Sequence, residues 1–258
     1  MEYERRSGFR DRISPVTVAR PRRNCTGFHV SYRANCTRER ARIEGPDMIG
    51  TAPPCRLEQS TTDMIQPVSL RLIAHASTRA MRTGTFPDDD PLDAHGLADA
   101  ASMHERFIGV PHAIALSSPA LCAQQTADAL GLRVRLDDAL RDVGYGRWRG
   151  KRLHDLARDL PDELGAWLGD PRASPHGGES FEDVACRVGA WLDGLPPGRD
   201  VVAVTHAAIV RAAIAHALRM ASQATMRIDV APLSCTLFVR SHDKWTVTTD
   251  DDGRDAGA

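Results

Sequence analysis

The sequence predicts an α/β domain, a three-layer sandwich in which a mostly parallel central sheet carries helices on both faces. Three observations predict it. From Val68 onward, short runs of β type alternate with stretches of helical period, the order that builds parallel sheets. A chain of 258 residues with 42% apolar residues has room for one large domain or two small ones. No run of about 18 apolar residues occurs, because the most apolar stretch, 201–220, is broken by His206, Arg211 and His216.

Residues 1–63 alternate Arg, Pro, Ser and Thr without a sustained period and are expected to be mostly disordered. They hold twelve Arg and no Lys against eight carboxylates, a net +4, which leaves −5 for the remainder of a chain whose total is −1. This is either a basic arm that touches something anionic or the product of too early a start codon. Met64, four residues before the first strand, and the 31 Arg against 2 Lys of the whole chain favour the second explanation. The domain is expected over 64–250, with a disordered tail at 251–258.

Within the domain, 68–74 (VSLRLIA) reads as a strand, followed by a loop with Gly84, Pro87 and Pro91 and a helix over 94–108. A second strand, 112–116, leads through Ser117-Ser118-Pro119 into a helix over 120–130. Ser118 suits its N-cap and Pro119 its first position. An irregular segment with Gly144, Gly146 and Gly150 precedes helical material at 151–168 and a helix at 180–195. A strand at 200–205 and a helix at 207–221 come next. Residues 225–249 read as two or three strands with a turn at 241–244.

The near-neutral balance and pI of about 6.8 give no argument for a nucleic acid or an anionic membrane as partner. No apolar stretch of about 7–15 residues follows Arg5-Arg6 or Arg22-Arg23, so no export signal is read and a cytoplasmic protein is expected. The six Cys contain no C-x-x-C pair and are expected as free thiols. Cys25, Cys36 and His29 match no common zinc spacing.

Open parallel sheets bind ligands beyond the C-terminal ends of their strands. That rule selects His75 after the first strand, Ser117-Ser118 after the second and His206 after 200–205. Two His at equivalent topological positions weigh against a purely structural role for either.

From Leu70 to about Thr249 the chain resembles the histidine phosphatase superfamily, whose fold is phosphoglycerate mutase-like. Leu72-Ile73-Ala74-His75-Ala76-Ser77-Thr78 is similar to the family's L-[IV]-R-H-G-[EQ]-T, and PLDAHGLADA at 91–100 to P-L-T-x-x-G-x-x-Q-A. SSPALCAQQTADAL at 117–130 resembles S-S-x-L-x-R-A-x-Q-T-A, and LRDVGYGRWRG at 140–150 resembles L-x-E-x-x-F-G-x-W-E-G. Gly178-Glu179-Ser180 matches G-E-S, and Val204-Thr205-His206-Ala207-Ala208 is similar to V-[ST]-H-G-G. The resemblance implies a phosphohistidine mechanism with no cofactor. His75 would be the nucleophile, His206 would hold the transferring group, and Asp142 would protonate the leaving oxygen. Ser77, Thr78, Cys122 and Glu179 would stand on the substrate side, and the substrate would be a small phosphorylated molecule.

Two positions depart from the family pattern in a way that bears on the chemistry. Ala74 precedes the nucleophile and Cys122 sits in the S-x-L-x-R element, where the family carries Arg. Arg supplies bidentate charged hydrogen bonds to the equatorial oxygens of a transferring phosphoryl group. Two contacts of about 1.5–3 kcal/mol each amount to roughly 3–6 kcal/mol, a factor on the order of 10² to 10⁴ in rate. Asp142 is one methylene shorter than the family's Glu, and Ala76 and Ala207 replace glycines. Arg79 and Arg82 are the candidates to fold back over the pocket, whereas Arg71 and Arg211 read as structural.

Two functions therefore remain. One is a phosphomonoesterase of weak or altered activity. The other is a silent or repurposed member that binds a small molecule, or a transition metal through His75, His206, Cys122 and Asp142, a ligand set that suits zinc. Asp88, Asp89 and Asp90 form either an acidic mouth that repels phosphate or a solvated loop with a capping use. Residues 176–180 are expected to form a second wall, with Ser180 as an N-cap. Trp148 and Trp167 are read as packing residues.

Overall fold

The computed structural model describes residues 67–107, 114–221, 227–242 and 244–250. The extension at 1–63 and the tail at 251–258, both expected to be disordered, lie outside the described residues. Strand β1, Val68–Ala74, buries Val68, Leu70 and Leu72 completely while Ser69 and Arg71 stay partly exposed, the alternation its sequence predicts. Strands β2 (Ile114–Ser117), β3 (Arg135–Leu136) and β4 (Asp200–Thr205) extend the sheet in parallel. Strands β5 (Cys235–Ser241) and β6 (Lys244–Asp250) close its other side as an antiparallel hairpin, with β5 paired to β1. The order is β3-β2-β4-β1-β5-β6. Strands β1 and β4 take the predicted bounds, and 225–249 yields two strands with Ser241 opposite Lys244. Strand β3 escapes sequence reading because two exposed residues carry no period.

The helices are α1 (Arg79–Thr83), α2 (Ala94–Ser102), α3 (His104–Phe107), α4 (Leu121–Ala129), α5 (Leu153–Asp159), α6 (Pro161–Gly169), α7 (Phe181–Asp193) and α8 (Ala207–Ala217). On one face of the sheet, Leu70, Leu72, Val201 and Ala203 pack against Val184, Val188 and Leu192 of α7 and Ile209, Val210 and Ala213 of α8. On the other face, Ile73, Val202 and Val204 meet Ala123 and Ala127 of α4 and Phe107. The three layers are thus those predicted. No helix among the described residues is long and apolar enough to cross a membrane.

Several helix ends differ from the sequence reading. The helix expected at 94–108 is interrupted at Met103. The one expected at 151–168 breaks at Leu160, where Pro161 has no N–H to continue the ladder and instead opens α6. Helix α8 stops at Ala217, ahead of a left-handed Arg219 (φ 53°). Helix α4 begins at Leu121 with Ala120 as its N-cap, so Ser118 and Pro119 precede it and do not cap it. Ser180 does cap α7, in a reciprocal box with Asp183.

Backbone hydrogen bonds carry the parallel ladder past the strand ends. The His75 N–H donates to Thr205 O at 2.8 Å, Ser118 N–H to Val204 O at 2.9 Å and Asp137 N–H to Ser117 O at 2.9 Å. Adjacent strands therefore release their loops side by side. Helix α2 packs directly on the loop after His75, where a Cβ on Gly96 would lie 2.2 Å from the Ser77 carbonyl oxygen.

A satellite core of Phe86, Trp148, Leu156, Leu164 and Trp167 holds the helices α5 and α6, and both Trp are packing residues as expected. His176 joins this aromatic cluster, its ring 5.0 Å from that of Trp148. It does not form a pocket wall.

Candidate active site

A cavity of about 410 Å³ opens where β1, β2 and β4 end, lined by His75, Thr78, Cys122, Asp142 and His206 among others. The His75 Nδ1 lies 2.7 Å from the Ala76 carbonyl oxygen. A carbonyl only accepts, so Nδ1 carries the proton and Nε2 presents a bare lone pair. The His206 ring stands edge-on to it with centroids 5.0 Å apart. His206 Nε2 meets Ser118 Oγ at 2.8 Å, while its buried Nδ1 has no hydrogen-bond partner and lies 3.5 Å from Asp142 Oδ2. Ser118, read from sequence as a cap, is instead the partner of the second His.

Burial governs the protonation of the group. It lowers the pKa of His75, with the His206 ring adding to the effect, and it pushes His206 down to about 3, with Arg187 adding to it. The same burial raises Asp142 to about 6 and the Cys122 thiol to about 12. Both imidazoles are neutral at pH 7, and Cys122 is a thiol.

Asp142 is held by its surroundings. Its Oδ1 accepts from the Val143 N–H at 2.8 Å. Glu179 stands behind the segment, its Oε2 accepting from the Gly144 N–H at 3.0 Å. Arg187 grips Glu179 with Nε and Nη2 at 3.0 and 2.9 Å, and donates from Nη1 to the carbonyls of Ala139 at 2.8 Å and Arg141 at 3.1 Å. Sequence reading missed Arg187. Its signal is positional, a charged residue beside the apolar stripe Val184, Val188 and Leu192 on α7.

The remaining predicted residues divide. Thr78 lines the cavity and caps α1 by accepting from the Met81 N–H at 3.3 Å. Cys122 lines it too, packed with Ala76, Leu92 and Ala100. Ser77 is directed elsewhere, donating to Asp93 Oδ2 at 3.0 Å. Arg79 is exposed and Arg82 pairs with Asp93 at 3.3 Å; neither lines the cavity, so the expected fold-back does not occur. Ala74 is buried in the main core beside Leu70 and Leu72. Ala76 and Ala207 adopt no positive φ, so alanine fits both loops without strain.

The guanidinium groups that do line the cavity are already paired. Arg141 meets Asp138 at 2.7 Å and Glu179 at 2.8 Å, and Arg149 meets Asp88 at 2.8 Å. Asp89 accepts from the Leu121 N–H at 2.8 Å and so occupies the N-terminus of α4. The acidic triplet thus has a capping and pairing use, with Asp89 and Asp90 facing the cavity.

A parallel sheet that presents two buried His and a protonatable carboxyl at its C-terminal edge follows the phosphoglycerate mutase-like plan. The chain belongs to the histidine phosphatase superfamily, branch 1, whose family pattern matches residues 70–252. Bifunctional protein Rv2228c of Mycobacterium tuberculosis is 34% identical over 186 residues, which cover 67% of this chain and 50% of that protein. The chain therefore spans half the length of that relative. The adenosylcobalamin/alpha-ribazole phosphatase of Escherichia coli is 27% identical over 171 residues, covering 62% of this chain and 84% of the relative. A solved structure of mycobacterial glucosyl-3-phosphoglycerate phosphatase with VO3 has a TM-score of 0.61 at 28% identity, covering 70% of this chain and 97% of the other.

Proposed function

We propose that this protein is a phosphomonoesterase that works through a phosphohistidine at His75 on a small phosphorylated metabolite. The observation that carries the reading is the tautomer imposed on His75, whose Nδ1–H is committed to the Ala76 carbonyl so that Nε2 is the nucleophile. Nε2 attacks phosphorus, the bond to the leaving oxygen breaks, and the carboxylic acid of Asp142 delivers its proton to that oxygen. A water then attacks the phosphohistidine, giving its proton to the Asp142 carboxylate and releasing phosphate. Ser118 Oγ accepts from the Ala120 N–H, which leaves its hydroxyl hydrogen for His206 Nε2. His206 Nδ1 then carries a proton that it donates to an equatorial oxygen. The relatives include an adenosylcobalamin/alpha-ribazole phosphatase and a glucosyl-3-phosphoglycerate phosphatase, which supports the substrate class.

Phosphate is held weakly in this reading, because Ala74 and Cys122 stand where the family carries Arg and the cavity's own Arg are paired. Release of phosphate from a generic aryl phosphate tests it. Turnover is expected in the wild type and absent in His75→Ala, with an acid-labile phosphoenzyme on rapid quench; turnover that survives His75→Ala overturns it. Cys122→Arg, which places a guanidinium in the cavity, is expected to raise kcat/KM by about 10 to 10².

A further inference from the structure

We propose that His75, Cys122 and His206 also form a binding site for a divalent transition metal of the zinc type, with a fourth position open to the cavity, and that metal and phosphoryl group compete for His75. One ligand atom from each of the three residues lies within 4.8 Å of the other two, and all three residues are buried. Four-coordinate zinc with bonds of about 2.0–2.3 Å needs ligand atoms roughly 3.3–3.8 Å apart, so closure on an ion takes side-chain shifts on the order of 1 Å. His75 contributes Nε2, since its Nδ1 is committed.

The second observation is independent of the cluster's composition. His206 Nδ1 is buried with no hydrogen-bond partner, and a neutral imidazole can carry its proton on either nitrogen. Ser118 Oγ both donates and accepts. When His206 Nε2–H donates to it, Nδ1 becomes a bare lone pair that His206 can offer to the cluster it forms with Cys122 and His75. The unsatisfied atom is then a ligand. Coordination of Cys122 Sγ releases the thiol proton to solvent as the sulfur–metal bond forms.

The charge around the cluster points the same way. Three features that would attract an anion are held by carboxylates of the chain: Asp89 sits on the Leu121 amide of α4, Asp88 on Arg149, and Asp138 and Glu179 on Arg141. Asp89, Asp90 and Asp142 face the cavity, and Asp142 Oδ2, 3.5 Å from His206 Nδ1, can accept a hydrogen bond from a metal-bound water. His, His and thiolate suit zinc, cobalt or copper and disfavour magnesium or calcium.

The existence of the site stands apart from the phosphatase reading, and only the competition rests on it. The test is a cobalt titration of the full chain, stripped of metal and held in phosphate-free buffer. One equivalent is expected to give the ligand-field bands of four-coordinate cobalt together with a thiolate-to-cobalt charge-transfer band. Cys122→Ser, checked for an unchanged circular dichroism spectrum, is expected to lose the charge-transfer band, and His206→Gln to weaken cobalt binding tenfold or more. A charge-transfer band that persists in Cys122→Ser, or no cobalt spectrum at one equivalent, overturns the site. Aryl-phosphate turnover, measured in parallel with a chelator and with one equivalent of zinc, separates the two readings. Turnover without cobalt binding rejects the metal site alone, and cobalt binding without turnover rejects the phosphatase alone. Turnover in both conditions that zinc leaves unchanged or raises rejects the competition; turnover that zinc suppresses supports it.

Discussion

Burial shifts the ionisable groups at the centre of this cavity toward their neutral forms. For His75 and His206 that form is deprotonated, and for Asp142 it is protonated. One environment thus prepares a nucleophile and a proton donor together. His75 stays unprotonated well below the usual 6.5, and Asp142 loses its proton near 6, so kcat for phosphate release is expected to peak on the acid side of neutrality. Above about pH 6 it should fall tenfold per unit. Asp142→Asn should lower kcat by roughly 10² to 10³ and flatten that limb, which a pH–rate profile of both proteins checks. Stability falls in the same direction of pH, but Asp142→Asn acts on it in the opposite sense. Because the folded pKa of Asp142 lies above its unfolded 3.8, ionising it costs the folded state increasingly as pH rises through about 6. Asp142→Asn is therefore expected to raise stability at pH 7.5 by about 1–3 kcal/mol and to change little at pH 4, measured by urea denaturation.

Helix α7 shows what an element contributes beyond its own residues. Its amphipathic stripe and its Ser180 start are legible in sequence, because both are local patterns. Its role at the site is not, since Arg187 acts on Glu179 and on carbonyls of 139–141, more than forty residues upstream. Arg187 is a positioning residue for Asp142. Arg187→Met leaves the largely buried Glu179 with Arg141 as its remaining guanidinium partner and is expected to cost about 1–3 kcal/mol in stability. It should also lower kcat with KM little changed, and Arg187→Lys should not rescue kcat, because an ammonium cannot hold a carboxylate bidentately and two carbonyls as well. The same segment is constrained from the other side. A Cβ on Gly178 would lie 1.6 Å from the Gly144 carbonyl oxygen, so Gly178→Ala is expected to displace the Asp142 loop and reduce kcat severalfold.

At the scale of the whole molecule, two neutral His inside the fold make the protein acid-labile. Their folded pKa values lie below the unfolded 6.5, so the stability they contribute is complete above pH 6.5 and is lost as pH falls toward the folded values. The urea midpoint is expected to drop between pH 7 and pH 5, with a shallower slope in His206→Gln. The layered fold is legible in the sequence. Alternating periods marked β1, β4, α7 and the closing hairpin, and motif order marked the family, because neighbours two to four residues apart encode strands, helices and turns. Sequence alone thus determined the layered α/β plan and put His75 and His206 at the C-terminal ends of two strands; that those strands are neighbours is a property of the sheet. The tertiary structure decided the electrical character of the cavity: that Arg79 and Arg82 stay outside it, that Arg141 and Arg149 are already paired, and that His206, with one buried nitrogen lacking a hydrogen bond, is grouped with a thiol and a second imidazole. Those properties arise from burial and from contacts between residues far apart in the chain, which no local pattern records.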